Sequence, residues 1–482
     1  MDALDKMNAQ LLRIFRGEER YGDGPPAEQA RRYRLKEILP VTVAYAKRNS
    51  PKVPDDSVDL LVSLSGFSPE TTILAFHLVN PKRLMIIGSE TTRASVDVIQ
   101  ETLKLPLSRL YIEDCEPTDP LEIYQYVQKA ARMVRRDDGP ARIIIDITGG
   151  KKVMSASAAL AAARLDLPMC YVEGDFDPEL RQSRPGTERL VILRNPTDLF
   201  GDRQLDAGLA AFRHGAYAAA HAQFKDVAGA AYEPAFARFL RELSAVYQAW
   251  CDLDFAQLKG LSGALRGRLA DPGYRPAPAL VDRLNAQLEF LDSLVRLHQA
   301  KQEGPPLLLN FYLLGKHYQL LGRHDFAALL FYRTIESCFA QRLTVLGSGF
   351  SSSRPDYSLL HADVAELAAR YKAVASAVHD REITALPFDV GLLDAALLAH
   401  ALKDPMVDLL GMAQPKSFGH LKRLIGARNG SVLAHGVDSV EPRLSEELAT
   451  FALRTLRAFW ALAFGQERVD EKIDVLGFVV EV

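Results

Sequence analysis

Only four cysteines occur in 482 residues, Cys115, Cys170, Cys251 and Cys338, and they are too far apart to form a paired ligand spacing. Neither a disulfide framework nor a zinc site is indicated, and no metal ligand set can be assigned. The chain also lacks a charge-free apolar run of about 18 residues, the length needed to cross a bilayer. Its start, Met1-Asp2-Ala3-Leu4-Asp5-Lys6, has no basic segment followed by an apolar one. The expected location is therefore cytoplasmic. A large excess of one charge sign is missing too: a net charge of −3 argues against a bulk nucleic-acid coat, though not against a local basic groove. Hydrophobic residues at 48% and charged ones at 25% exclude a disordered chain, and the length suits about three domains of roughly 150 residues.

The most informative stretch is Ile143 to Ser155, Ile-Ile-Ile-Asp-Ile-Thr-Gly-Gly-Lys-Lys-Val-Met-Ser. Its isoleucine-rich start predicts a strand buried on both faces of a parallel sheet, in mid-sheet. Thr148, Gly149 and Gly150 break the run, and the Ala-rich composition of Lys152 to Arg164 predicts a helix. Unpaired N–H groups at such a helix start, with glycines that allow close approach and with Lys151 and Lys152, make an anion site. Neither the phosphate-loop spacing nor Gly-x-Gly-x-x-Gly is present here. Taken alone, the turn also reads as a tight connection with solvated lysines.

Short apolar runs at Val58–Leu64, Leu84–Ile87, Leu110–Ile112, Ile143–Ile147, Met169–Val172 and Leu190–Leu193 alternate with helical stretches, which predicts a doubly wound, mainly parallel sheet. The first run ends in Ser63-Leu64-Ser65-Gly66-Phe67-Ser68 and the second in Gly88-Ser89-Glu90-Thr91. With Thr148 to Lys152 they form one polar rim where such sheets bind ligands. Residues 1 to 49 read as two helices broken at Gly22 to Pro26, capping the sheet. After Pro196 the chain reads as helical. Ala211-Phe212, Gly215, Tyr217, Ala220 and Phe224 resemble one tetratricopeptide helix-turn-helix, with no second copy in register. Breaks at Ala270–Pro276 and Glu303–Pro306 bracket one further helix. Helices are expected through Phe326–Leu346 and Lys416–Ala427, and Val475–Val482 reads as an added strand or a dimer contact.

Ala427-Arg428-Asn429-Gly430-Ser431-Val432-Leu433-Ala434-His435-Gly436 carries a second constellation. A histidine can move the protons of RNA cleavage, and a guanidinium can stabilise the phosphorane. Arg428 and His435 are two turns apart on a helix and would share a face. One other pair with comparable spacing exists, Arg354 and His361, but it flanks Pro355 in a serine-rich loop where no helix aligns it.

The strand-end Asp-Ile-Thr-Gly-Gly-Lys-Lys-Val-Met-Ser with its Ser-Gly-Phe-Ser rim resembles the CARF (CRISPR-associated Rossmann fold) sensor domain. Arg428-Asn429 with His435 resembles the Arg-x4-6-His motif of HEPN ribonucleases. Their order, over about residues 55 to 466, resembles the accessory ribonucleases of type III CRISPR systems. With the helical segment read at 1–54, the resemblance implies an α/β plus all-α chain: a Rossmann-like CARF domain with a mainly parallel sheet at 55–197, a helical connector at 198–304 and a HEPN domain at 305–482. It further implies a homodimer without cofactor, activated by cyclic tetra- or hexa-adenylate, that cleaves single-stranded RNA without metal. Ser65, Gly66, Ser89, Thr148, Gly149, Gly150, Lys151 and Lys152 would bind the activator, although many relatives have a small or polar residue where Lys151 stands. Arg428, Asn429 and His435 would be catalytic. The helices up to Asn49 and the tail from Lys472 have no counterpart. Two other readings stay open: a sensor whose helical half only binds nucleic acid or protein, and a mononucleotide enzyme using Asp146, Lys151 and Lys152.

Overall fold

The isoleucine run becomes strand β4 of a six-stranded sheet. In chain order its strands are β1 (Leu60–Leu64), β2 (Leu84–Gly88), β3 (Leu110–Asp114), β4 (Ile143–Asp146), β5 (Met169–Glu173) and, after a small hairpin of β6 (Phe176–Asp177) and β7 (Gln182–Ser183), β8 (Arg189–Leu193). The spatial order is β3-β2-β1-β4-β5-β8, parallel except for the final pair. β4 lies between β1 and β5, and β1, β2 and β4 are buried throughout, hence their unbroken apolar sequences. The computed structural model describes every residue except 1–2, 55–56, 135–140, 181, 196, 198–199, 231–233, 272, 275 and 466. The boundaries expected at residues 55 and 198, and part of the break at 270–276, lie outside the described residues.

The chain divides into two compact units, Met1–Gly201 and Asp202–Val482. In the first, α1 (Ala3–Phe15), α2 (Pro26–Tyr33) and α3 (Leu39–Asn49) precede the sheet, and α4 (Pro69–Val79), α5 (Arg93–Leu103), α6 (Pro120–Met133) and α7 (Lys152–Leu165) connect its strands. The second expected helix is thus a continuous run in which a π-helical turn, Arg34–Ile38, joins α2 to α3. Pro40 cannot donate to the carbonyl of Lys36, and the wider turn makes room for its ring. Helices α3, α4 and α5 cover one face of the sheet with Leu61, Ile86 and Ile144. Helices α6 and α7 cover the other with Leu60, Val62 and Ile145. Since β1 connects towards β2 and β4 connects towards β5, the strand order reverses between β1 and β4. A crevice opens there, beyond their carboxyl ends.

The second unit is helical, and one continuous core runs through it from Phe212 to Val479. Two expectations are corrected here. First, the repeat at 202–230 does have a second copy, 107 residues on, in helices Pro305–Leu320 and His324–Leu346. A Cβ at Gly208 would lie 2.5 Å from the Phe224 ring, and one at Gly315 would lie 2.7 Å from Phe331. Gly215 and Gly322 both make the turn at positive φ, and Ala220 and Ala327 are both buried. His324 replaces Tyr217 in the second copy and other helices intervene, which hides the register. Second, the tail is not a strand. Helix Val469–Leu476 ends and Phe478 enters the core, stacked 4.3 Å from Trp250 and 4.0 Å from His317, edge-on to Tyr247 at 4.9 Å. Gln287 and Arg283 donate to the Gly477 carbonyl at 2.6 and 2.8 Å, and the Val479 N–H donates to the Tyr247 hydroxyl at 3.1 Å.

Burial beneath Phe478, helped by Arg323, pushes His317 down to about 4 from 6.5. The unfolded chain therefore takes up a proton that the folded site refuses, and this contribution to stability is lost as pH falls from about 6.5 towards 4. Phe478→Ala should lower stability by about 3 kcal/mol at neutral pH. It should also flatten that pH dependence, because His317 regains solvent. Urea unfolding at several pH values checks both, and unchanged midpoints would show that the tail is not anchored.

Candidate functional site

At the crevice, the sequence Asp-Ile-Thr-Gly-Gly turns on a buried carboxylate. Asp146 is in register with Ser63 of β1, and the Ser63 hydroxyl donates to its Oδ2 at 2.6 Å. Thr148 donates to Oδ1 from its backbone N–H at 3.0 Å and also from its hydroxyl. The Thr148 oxygen in turn accepts the Val172 N–H of β5 at 2.8 Å. With Ser63 donating to Asp146, the Thr72 hydroxyl of α4 donates to Ser63 at 2.9 Å. Burial pushes the Asp146 carboxyl up, and the donors from Ser63 and Thr148 pull it back. This carboxylate ties β1, β4 and β5 together and does not face the crevice, which removes Asp146 from the mononucleotide-enzyme reading.

The glycines bring two loops into backbone contact. A Cβ on Gly149 would sit 1.9 Å from the Leu64 carbonyl oxygen, and one on Gly66 would sit 3.0 Å from the Gly150 nitrogen. Gly150 itself has φ +78°. Ser155 of α7 donates to the Gly149 carbonyl at 3.0 Å. Lys151 precedes α7 and Lys152 opens it, and both are exposed. Ser65 and Ser89 are buried: the Ser65 N–H donates to the Ile87 carbonyl at 2.8 Å, and the Ser89 N–H donates to Thr92 Oγ1 at 2.9 Å. The structure thus brings the β1 and β4 loops together, with two free ammonium groups above a helix start, while the hydroxyls of Thr148 and Ser89 are spent on the loops themselves.

In the second unit, helix Phe418–Asn429 ends with Gly430 as its cap, so Arg428 and His435 do not share a helical face as expected. Instead the chain hooks back. The His435 N–H donates to the Asn429 carbonyl at 3.2 Å, Gly436 to Ser431 at 3.1 Å, Val432 to Asp438 at 3.0 Å and Asp438 to Gly430 at 3.2 Å. A Cβ on Gly436 would lie 1.8 Å from the Gly430 oxygen, so only glycine closes this loop. Arg428 lies over the Tyr332 ring at 4.5 Å, and its Nη1 donates to Asn429 Oδ1 at 3.2 Å. Its Nε is buried without a partner. Imidazole and Asn429 side chain are exposed. The exit segment is pinned where the Val440 N–H donates to Asp325 Oδ1 at 3.1 Å. At the control pair, Arg354 is exposed in its loop, and His361 Nδ1 accepts the Asp363 N–H at 3.1 Å.

Sequence reasoning missed Tyr332 and Gly436. Tyr332 is nearly a hundred residues from Arg428, and nothing local marks it. Gly436 did carry a signal, since a glycine directly after the histidine favours a turn over a helix.

Residues 296–458, which contain Tyr332, Arg428 and His435, match the family model of the Csm6 HEPN domain. A curated relative, the CRISPR system endoribonuclease Csm6 of Thermus thermophilus, is 29% identical over 418 residues, covering 82% of this chain and 85% of the relative. Two solved structures are more distantly similar. Enterococcus italicus Csm6 bound to cyclic hexa-2′-fluoro-hexa-dAMP has 13% identity and a TM-score of 0.44, covering 87% of this chain and 97% of that one. Can2 from Sulfobacillus thermosulfidooxidans in complex with cyclic tetra-adenylate has 13% identity and a TM-score of 0.22, covering 50% and 68%. The mainly parallel α/β unit followed by a helical unit with a HEPN match defines a class of two-part chains. The chain is thus similar to Csm6 over most of its length, and the HEPN match lies within its helical unit.

Gly149→Ala should lower stability by about 2 kcal/mol or more, since backbone must move to admit the methyl group. Gly263→Ala, in an open helix position with nothing within 4 Å, should raise it by about 0.5–1 kcal/mol. Urea midpoints measure both, and a neutral Gly149→Ala would contradict the close loop contact.

Proposed function

We propose that this protein is an endoribonuclease of type III CRISPR defence, activated by a cyclic tetra- or hexa-adenylate that binds the loops at the β1/β4 crevice. The observation that carries this reading is the Arg428–His435 loop, built on Tyr332 and closed by Gly436, inside the HEPN match of a chain similar to a protein named as a CRISPR endoribonuclease. Residues 55–197 are the sensor, 198–304 the connector and 305–482 the nuclease, with 1–54 as a cap. The protein works in the cytoplasm.

Cleavage needs no metal in this mechanism. His435, held by its backbone but free at its imidazole, takes the proton of a 2′-hydroxyl or returns one to the leaving 5′-oxygen. The 2′-oxygen bonds to phosphorus as the P–O5′ bond breaks, leaving a 2′,3′-cyclic phosphate and a 5′-hydroxyl. Arg428, aimed by Tyr332 and Asn429, stabilises the charge that gathers on the phosphoryl oxygens. Single-stranded RNA is the substrate because a flexible backbone can align its 2′-hydroxyl with the scissile phosphate. The loop exposes Val432, Leu433 and Val437, the last at 89%, an apolar surface that a second copy would cover. A two-fold homodimer would then bring two Arg–His sets into one cleft. At the sensor, Lys151, Lys152 and the N–H groups at the α7 start hold phosphates, and the locked glycine loops let the ring approach closely.

In EDTA, His435→Ala and Arg428→Ala should each lower cleavage of a fluorescent RNA reporter by roughly two orders of magnitude or more. The Arg354→Ala/His361→Ala double variant should stay near wild type. Lys152→Ala should need about ten-fold more activator and recover most of its rate at saturation. A dead control variant with an active His435→Ala would mean that the wrong pair has been assigned. Activity that returns only with added Mg2+ or Mn2+ would place the nuclease in another class.

A further inference from the structure

Beside the first strand-end loop, α2, the π-helical turn and the β6–β7 hairpin enclose a cavity of about 240 Å³ lined by Arg31, Arg34, Phe67, Ser68, Glu70 and Gln182. Whole drug-sized ligands occupy about 300–1,000 Å³, so this space suits a single ring system. Its polar groups are incompletely satisfied. Arg34, 5% exposed, stands loosely between Glu70 (Nε to Oε1, 4.0 Å) and Glu188 (Nη2 to Oε1, 3.7 Å), and its Nη2 donates to the Ser183 carbonyl at 3.0 Å. Arg34 Nη1 and Glu70 Oε2 are both buried without a hydrogen-bond partner. Folded proteins seldom leave buried charged groups in that state. The Ser68 hydroxyl does not cap α4 and is left over. At the lip stands Phe67, 77% exposed, directly after the Ser65-Gly66 turn that touches Gly150.

We propose that this cavity is a nucleobase subsite in which Phe67 stacks on an adenine of the activator and the Arg34–Glu70 pair reads its edge. The inference rests on the reading of the adjoining loops as the cyclic-oligoadenylate site. Adenine presents an amino donor, N6–H, beside an acceptor, N7. A carboxylate oxygen lacking a donor and a guanidinium nitrogen lacking an acceptor complement that edge. A 6-oxo purine presents two acceptors there, one of which would face the Glu70 carboxylate. The selectivity for adenine would therefore come from the N-terminal helices, which the family resemblance leaves without a counterpart, acting with the loop that leads into α4. An exposed aromatic ring supplies stacking that any base accepts, so Phe67 sets affinity and Glu70 sets identity.

The test is calorimetric titration of cyclic tetra- and hexa-adenylate, and of cyclic oligoinosinate of the same ring sizes, into the full chain. Wild type should prefer the adenylate ring by about ten-fold or more. Glu70→Gln, which exchanges one acceptor oxygen for a donor, should narrow or reverse that preference, an effect that loss of packing alone would not produce. Phe67→Ala, at a surface position that does not threaten folding, should weaken adenylate binding by about ten-fold. If both variants bind and discriminate like wild type, the cavity is not a base subsite, while the sensor reading stands. If wild type binds neither ring, both fall together.

Discussion

The buried Asp146 carboxylate organises the strand-end loops of the α/β unit. It accepts from Ser63 on the neighbouring strand and from Thr148 on its own loop, and Thr148 accepts from β5, so three strands are tied together beside the β1/β4 crevice. Against that frame Gly149 lies on the Leu64 carbonyl with no room for a side chain. A buried carboxylate is tolerable because it is fully engaged by donors. The loop backbones are in close contact, and the ammonium groups of Lys151 and Lys152 are exposed beside them.

The Arg428–His435 loop repeats this logic with other parts. Gly436 closes on Gly430 as Gly149 closes on Leu64, and the exposed imidazole of His435 rides on a backbone tied to the end of its helix. Arg428 is aimed by an aromatic face from a distant helix rather than by an acidic partner. Among the described residues its guanidinium has no carboxylate partner. Activation by a ligand is a coupling free energy: a ring could favour cleavage only as far as it binds the active state more tightly than the inactive one.

Much of the sheet could be read directly, because strands buried on both faces must be apolar runs and the glycine turn broke the run at β4. The hairpin β6–β7 could not, since strands of two residues carry no periodicity. The role of Asp146 was hidden for a related reason: an acidic residue at the end of an apolar run looks like chemistry until its hydrogen bonds are seen. In the helical half, the sequence singled out Arg428 and His435 by residue type, and the structure corrects the geometry expected of them. A seven-residue spacing suggested one helix face, whereas Gly430 ends the helix and Gly436 folds the chain back. Tyr332 and the docking of Phe478 depend on contacts across long stretches of chain, which no local pattern records.

The most direct test of the account is the cleavage rate of a single-stranded RNA reporter by the purified wild-type protein in EDTA, with and without cyclic tetra- and hexa-adenylate. The account predicts that one ring raises the rate by roughly 5- to 150-fold, the range of ordinary allosteric coupling. Equal rates with and without either ring, or no cleavage under any of these conditions, would contradict it.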